Sequence, residues 1–214
     1  MARERVFREQ SVKEEGLNSL THGVGALLSF FALLLLVKQT EGLSATARFS
    51  AAFYGASLLM LFSASSLLHA SYALSHGSDF LCRLDHASVF LLILGTYAPV
   101  MLSLLGGILG SALFALALAV ALFGILRIFL ERRVGAPPLP LYLTLGWAAF
   151  AAGYPLYLSA GFSGLSLLLL GGLFYSVGVL FYRRKDVAFS HVLWHLFVLG
   201  GSLFHFFFVY LYCL

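Results

Sequence analysis

His191 and His195 stand four residues apart in His191-Val192-Leu193-Trp194-His195, and Ser65 and His69 stand four apart in Ser65-Ser66-Leu67-Leu68-His69. Residues at that spacing share one face of a helix. Three neutral imidazoles would hold a zinc ion with one position open, and a water there would have its pKa lowered from 15.7 towards about 7. A carboxylate at the same level, Asp85, would accept that water's proton or hold it in place. Ser65 would hydrogen-bond the water, a substrate carbonyl or a ligand's second nitrogen. The run lacks the glutamate of the HExxH protease motif, so the base must come from elsewhere in the chain. The alternative is a set of histidines that only hydrogen-bond across helices, because HxxxH also arises by chance.

Whether these residues meet depends on the elements that carry them. The chain has 214 residues, of which 61% are hydrophobic and 10% charged. No soluble domain of that size hides so much apolar surface, so the expected class is an all-α integral membrane protein. Charges fall in islands between long uncharged runs. The longest runs divide at Gly106-Gly107 and at Ser159-Ala160-Gly161-Phe162-Ser163-Gly164, both turn signals. The expected architecture is a seven-helix bundle with spans at roughly 17–37, 49–69, 85–104, 108–127, 139–159, 164–182 and 189–212. A short polar arm, 1–15, precedes a single membrane domain, 16–214. The arm does not read as a cleavable signal peptide.

Basic residues orient the bundle. Arg3, Arg5, Arg8, Lys13, Arg83, Arg127, Arg132, Arg133, Arg183, Arg184 and Lys185 fall on one side, leaving Lys38 and Arg48 for the other. The N-terminus is therefore expected in the cytoplasm and the C-terminus outside, in the cell membrane. The net charge of +4 follows from this topology and calls for no nucleic-acid partner. Cys82 and Cys213 fall on opposite sides and cannot pair within one chain.

The same map places His69 at the cytoplasmic end of the second span, Asp85 at the start of the third, and His191 and His195 at the start of the seventh. Asp85 is the one carboxylate read into that layer, although it could instead pair with Arg83. His86 follows Asp85 and points about 100° away. His22 shares a face with Asn18 and is either wetted at the headgroups or near the site. His205, about 15 Å beyond His195 along the helix, is too far to join it. Gly95-Thr96-Tyr97-Ala98-Pro99 is a kink candidate.

The residue set resembles that of the hemolysin III family, the bacterial branch of the progestin and adiponectin receptor group. The resemblance rests on Ser65 and His69, Asp85 and His86, and His191-x-x-Trp194-His195. Asn18-Ser19-x-Thr21-His22-x-x-Gly25, Gly95-Thr96-Tyr97-x-Pro99, Gly146-Trp147 and Gly171-Gly172-x-x-Tyr175 extend it over most of 14–210. Ala98 and Val100 depart from it, where Thr and Phe are expected. It implies zinc bound near the cytoplasmic face by His69, His191 and His195, with Asp85 beside the zinc-bound water and Ser65 hydrogen-bonding nearby. The wider group includes alkaline ceramidases, so the resemblance implies a zinc-dependent hydrolase of lipid amide or ester bonds, with membrane lipids as substrates and a part in lipid homeostasis. A lipid-responsive, receptor-like protein with structural zinc is the alternative, and a cytolytic pore the third.

Overall fold

The computed structural model describes residues 10–214. Arg3, Arg5 and Arg8, which weigh in the charge count, lie outside the described residues. The described chain is helical throughout, with no strand. The elements are α1 (Val12–Gln39), α2 (Ala45–Ala73), α3 (Asp79–Tyr97), α4 (Gly107–Leu130), α5 (Leu139–Ala148), α6 (Gly153–Tyr182) and α7 (Ser190–Phe208). The arm expected over 1–15 is thus already helical from Val12.

Six stretches are long and apolar enough to cross a membrane, and the chain is a multi-span helical membrane protein. Its outer faces carry bare hydrocarbon: Ile108 is 90% exposed and Phe162 76%, which is stable against lipid and not against water. Several helices overrun the hydrophobic thickness. The 29 residues of α2 extend about 43 Å against a core of about 30 Å.

The serines that start three helices explain where those helices begin. The Ser11 hydroxyl accepts from Glu14 N while the Glu14 carboxylate accepts from Ser11 N, a complete capping box for α1. Ser44 and Ser78 accept from the third residue beyond in α2 and α3. The helix of α3 does not break at Pro99. It widens into π-helical turns over Ala98–Leu105, which accommodates the proline's missing N–H.

Glycine makes both of the corners expected from sequence. Gly106 (φ 64°, ψ −168°) separates α3's extension from α4. Gly161 (φ 66°, ψ −175°) interrupts α6. That conformation is all but closed to residues with a Cβ. The region Leu139–Tyr182 is one apolar stretch of 44 residues, but it is not straight. Trp147 Nε1 donates to Ser176 Oγ at 3.0 Å, and two residues 29 apart meet in this way only where the chain doubles back.

The helices close a ring. α1 packs on α2 and α7, α2 on α3, α5 on α3 and α6, and α6 on α7, while α4 lies against α3. Tyr97 and Tyr142 tie α3 to α5 by donating to Leu145 O (2.8 Å) and His86 O (2.7 Å). Arg83 turns to the carboxyl end of α4, donating to Ile128 O and to Glu131 O. Among the described residues it forms no ion pair with Asp85, so the alternative in which Arg83 neutralises Asp85 is not the arrangement adopted.

The corner at Gly161 predicts an asymmetric glycine series. Gly161→Ala should cost about 1–2 kcal/mol, because a Cβ is forced into the left-handed region. Gly146→Ala, in a helix with open space at its Cβ, should be neutral or stabilising. Thermal unfolding of the two variants in detergent checks this, and equal melting temperatures would contradict it.

Candidate metal centre

The two helices that carry the histidines are held in register by α1. His69 on α2 is 5% exposed and His195 on α7 1%. Nδ1 of His69 donates to Glu15 Oε2 at 2.6 Å. Nδ1 of His195 donates to the Asn18 carbonyl at 3.1 Å. A carboxylate and a peptide carbonyl only accept, so both rings carry their proton on Nδ1. Their Nε2 atoms are left with a lone pair. This is the arrangement of a metal-ligating imidazole whose far nitrogen is fixed by an oxygen acceptor.

The lone pairs converge. Nε2 of His69 lies 3.3 Å from Nε2 of His191, and one ligand nitrogen from each of His69, His191 and His195 falls within 4.8 Å of the other two. Tetrahedral coordination at about 2.0–2.1 Å puts neighbouring nitrogens about 3.3–3.4 Å apart. The donor set and the His69–His191 spacing therefore fit a single metal ion held by three imidazoles. The three residues are close enough to bind one. Three imidazole donors suit zinc and also copper, iron or nickel, so the identity of the metal does not follow from them.

Asp85 and Ser65 share the wall of the cavity that the three histidines face. The Asp85 carboxylate interacts with the Ser65 hydroxyl and lies within electrostatic reach of His69. Ser65 thus turns to Asp85, while the second nitrogen of His69 is already taken by Glu15. The carboxylate of Asp85 was expected to be the only one in this layer. Glu15 is a second, with its side chain 12% exposed, and this corrects the reading from sequence.

Three further residues of α1 complete the frame. Glu14, 2% exposed, accepts from the backbone N–H of Phe189 at 2.8 Å through Oε1. Phe189 precedes α7 and sits at φ 59°, a left-handed conformation uncommon for a bulky residue. A carboxylate at this end of α7 also meets the positive end of its helix dipole. The ring of His22 stacks on that of His195, with centroids 3.6 Å apart and planes 9° from parallel, and meets Phe62 edge-on. His22 is 3% exposed, so of its two expected positions it takes the one beside the site. Thr21 Oγ1 lies 3.3 Å from His195 Nδ1.

The remaining histidines stay out of the cluster. Nε2 of His86 faces Cys82 Sγ at 3.9 Å, as its direction relative to Asp85 predicts. His205 Nε2 donates to Leu168 O at 3.2 Å, and His76 is exposed.

A cavity of about 950 Å³ opens from this cluster. Its polar end carries Glu15, Ser65, His69, Asp85, His191 and His195. Away from the cluster the cavity is lined by apolar side chains such as Val100, Met101 and Leu168. The volume is at the upper end of the range for small-molecule sites.

Removing the acceptor on His69 should loosen the metal. Glu15→Ala is expected to lower metal affinity about 10- to 100-fold, and Glu15→Gln, which keeps an oxygen acceptor, should lose less. Metal content during chelator titration of the purified variants checks the order, and an unchanged Glu15→Ala would show that the hydrogen bond has no bearing on binding.

Comparison with known proteins agrees on one family. The model described as Haemolysin-III related matches residues 10–206. The chain is 42% identical over 205 residues to the Hemolysin-3 homolog of Bacillus subtilis (strain 168), covering 95% of this chain and 96% of that protein. It is 42% identical over 207 residues to Hemolysin-3 of Bacillus cereus, covering 96% and 94%. The Monocyte to macrophage differentiation factor of Homo sapiens is 27% identical over 207 residues, covering 93% and 84%.

Proposed function

The chain belongs to the Haemolysin-III related family, and we propose that it acts there as a metal-dependent hydrolase of amide or ester bonds in membrane lipids. The observation that carries the reading is a three-histidine cluster and a carboxylate in the wall of a large cavity that is also lined by many apolar side chains. A metal that only stapled helices together would need no such space beside it.

In this reading the apolar end takes an acyl chain, which brings the amide or ester next to the polar end. His69, His191 and His195 would hold zinc. The bound ion would supply a Lewis acid and a water acidic enough to react near neutral pH. Asp85 accepts a proton from the attacking water at its carboxylate oxygen and returns it to the leaving amine or alcohol. The Ser65 hydroxyl, beside Asp85, would help to orient the carboxylate. Glu15 and the Asn18 carbonyl hold two imidazole rings in the tautomer that presents Nε2.

The reading also takes the chain across the cell membrane seven times, N-terminus in the cytoplasm. The two legs flanking Gly161, 139–160 and 162–182, are each about 32 Å long, enough for one crossing apiece. The positive-inside count supports the orientation, which puts the polar end of the cavity at the cytoplasmic face. Reporter fusions at the loops near Pro137 and Asp186 should both report the cytoplasm, and opposite sides would remove the seventh crossing.

The chemical claim is tested with purified protein loaded with zinc and offered N-acyl and ester lipids. Asp85→Ala is expected to lower turnover about 10²- to 10⁴-fold while retaining its metal. His191→Ala should lose both metal and activity. Absence of turnover across a broad lipid screen, with metal bound, would favour the alternative of a lipid-responsive protein with a structural metal.

A further inference from the structure

We propose that the inner end of the cavity is a second polar subsite, in which Nδ1 of His205 accepts a hydrogen bond from a hydroxyl group carried within the apolar part of a lipid ligand. The proposal rests on the reading that the cavity holds a lipid, and not on the lipid being hydrolysed.

His205 lines the same cavity as His69 and His195, ten residues further along α7. Its Nε2 lies 3.2 Å from the carbonyl of Leu168, which can only accept, so the proton sits on Nε2 and Nδ1 is a bare acceptor. The ring's orientation follows from Gly171. A Cβ on Gly171 would collide with Cδ2 and Nε2 of His205, so that edge of the ring lies flat against α6. The opposite edge, with Nδ1, points away from α6. Among the described residues no donor is hydrogen-bonded to Nδ1.

The surroundings are otherwise built for contact with hydrocarbon. Leu168, whose carbonyl holds the ring, and Met101 line the same cavity. Tyr175 stands edge-on to His205 with centroids 5.3 Å apart, and its hydroxyl shares a hydrogen bond with Ser202 Oγ at 2.9 Å. Its polar atom is therefore already engaged, and it leaves Nδ1 of His205 as the acceptor to satisfy. An acceptor in an apolar, membrane-depth cavity costs free energy until a donor reaches it. A hydroxyl on the chain of a bound lipid is such a donor.

The spacing sets where that hydroxyl must be. Ten residues of helix separate His195 from His205 by about 15 Å. An extended chain advances about 1.2 Å per bond, so the hydroxyl falls about twelve bonds from a carboxyl or carbonyl carbon held at the metal end. The matched probes are 12-hydroxyoctadecanoic acid and octadecanoic acid.

Binding of both acids to purified protein in detergent is measured for wild type, His205→Leu and His205→Gln. Wild type is expected to bind the hydroxylated acid about five- to tenfold more tightly. His205→Leu should bind both acids equally, its affinity for the plain acid showing that it is folded. His205→Gln, which keeps an acceptor, should retain part of the preference. Equal binding of the two acids by wild type, or a preference that survives His205→Leu, would overturn the subsite and leave the lipid reading intact. If His205→Leu binds neither acid, His205→Gln decides: a retained preference supports the subsite and a lost one overturns it. If wild type binds neither acid, the lipid reading itself falls and takes the subsite with it.

Discussion

Two Nδ1 protons, each given to an oxygen of α1, organise the centre of this protein. In an apolar bundle an imidazole could take either tautomer and several ring orientations. The Glu15 carboxylate and the Asn18 carbonyl remove that freedom for His69 and His195. Once those rings present Nε2 inward, His191 needs only its place one turn earlier on α7 to complete the group. The helix ring serves the same end. α1 lies against both α2 and α7, the two helices whose histidines must agree. The stacked ring of His22 closes the remaining face of His195.

Much of this arrangement was legible in the sequence because membranes make topology a one-dimensional problem. Arg and Lys positions sort the ends of helices into two layers, and His69, Asp85, His191 and His195 then fall in one of them without any three-dimensional input. The corners at Gly106 and Gly161 were legible for a similar reason, since an uncharged run too long for one span has to turn at a residue that tolerates positive φ. Glu15 was not legible. An acidic pair just inside a helix start has a sufficient local explanation in capping and dipole compensation, and Glu14 does make a capping box with Ser11. That Glu15 also reaches across to a residue 54 positions away depends on how deeply α1 sinks beside α2, which no periodicity encodes. The partner of Arg83 was hidden in the same way. Its guanidinium reaches the end of α4 instead of the carboxylate two residues along.

The cavity puts two physical regimes in contact. At one end charge and lone pairs are concentrated, and elsewhere apolar side chains make up much of the wall. A molecule matched to both ends would be amphiphilic, as the proposed lipid substrates are. Water reaching the polar end is also confined there, because the apolar end gives it few partners. In the proposed reaction the same geometry would limit where hydrolysis occurs.

The bond from Phe189 N–H to Glu14 joins positions near opposite ends of the polypeptide. Translation proceeds from the N-terminus, so Glu14, Glu15 and His69 are in place well before α7 leaves the ribosome. For most of its synthesis the chain carries one histidine of the cluster. Completion of the last helix supplies His191 and His195 together, and the strained backbone at Phe189 is secured only when the first helix is there to receive it. Completion of the three-histidine cluster is thereby a late event in biogenesis, and a chain truncated before α7 would keep only His69 of the three.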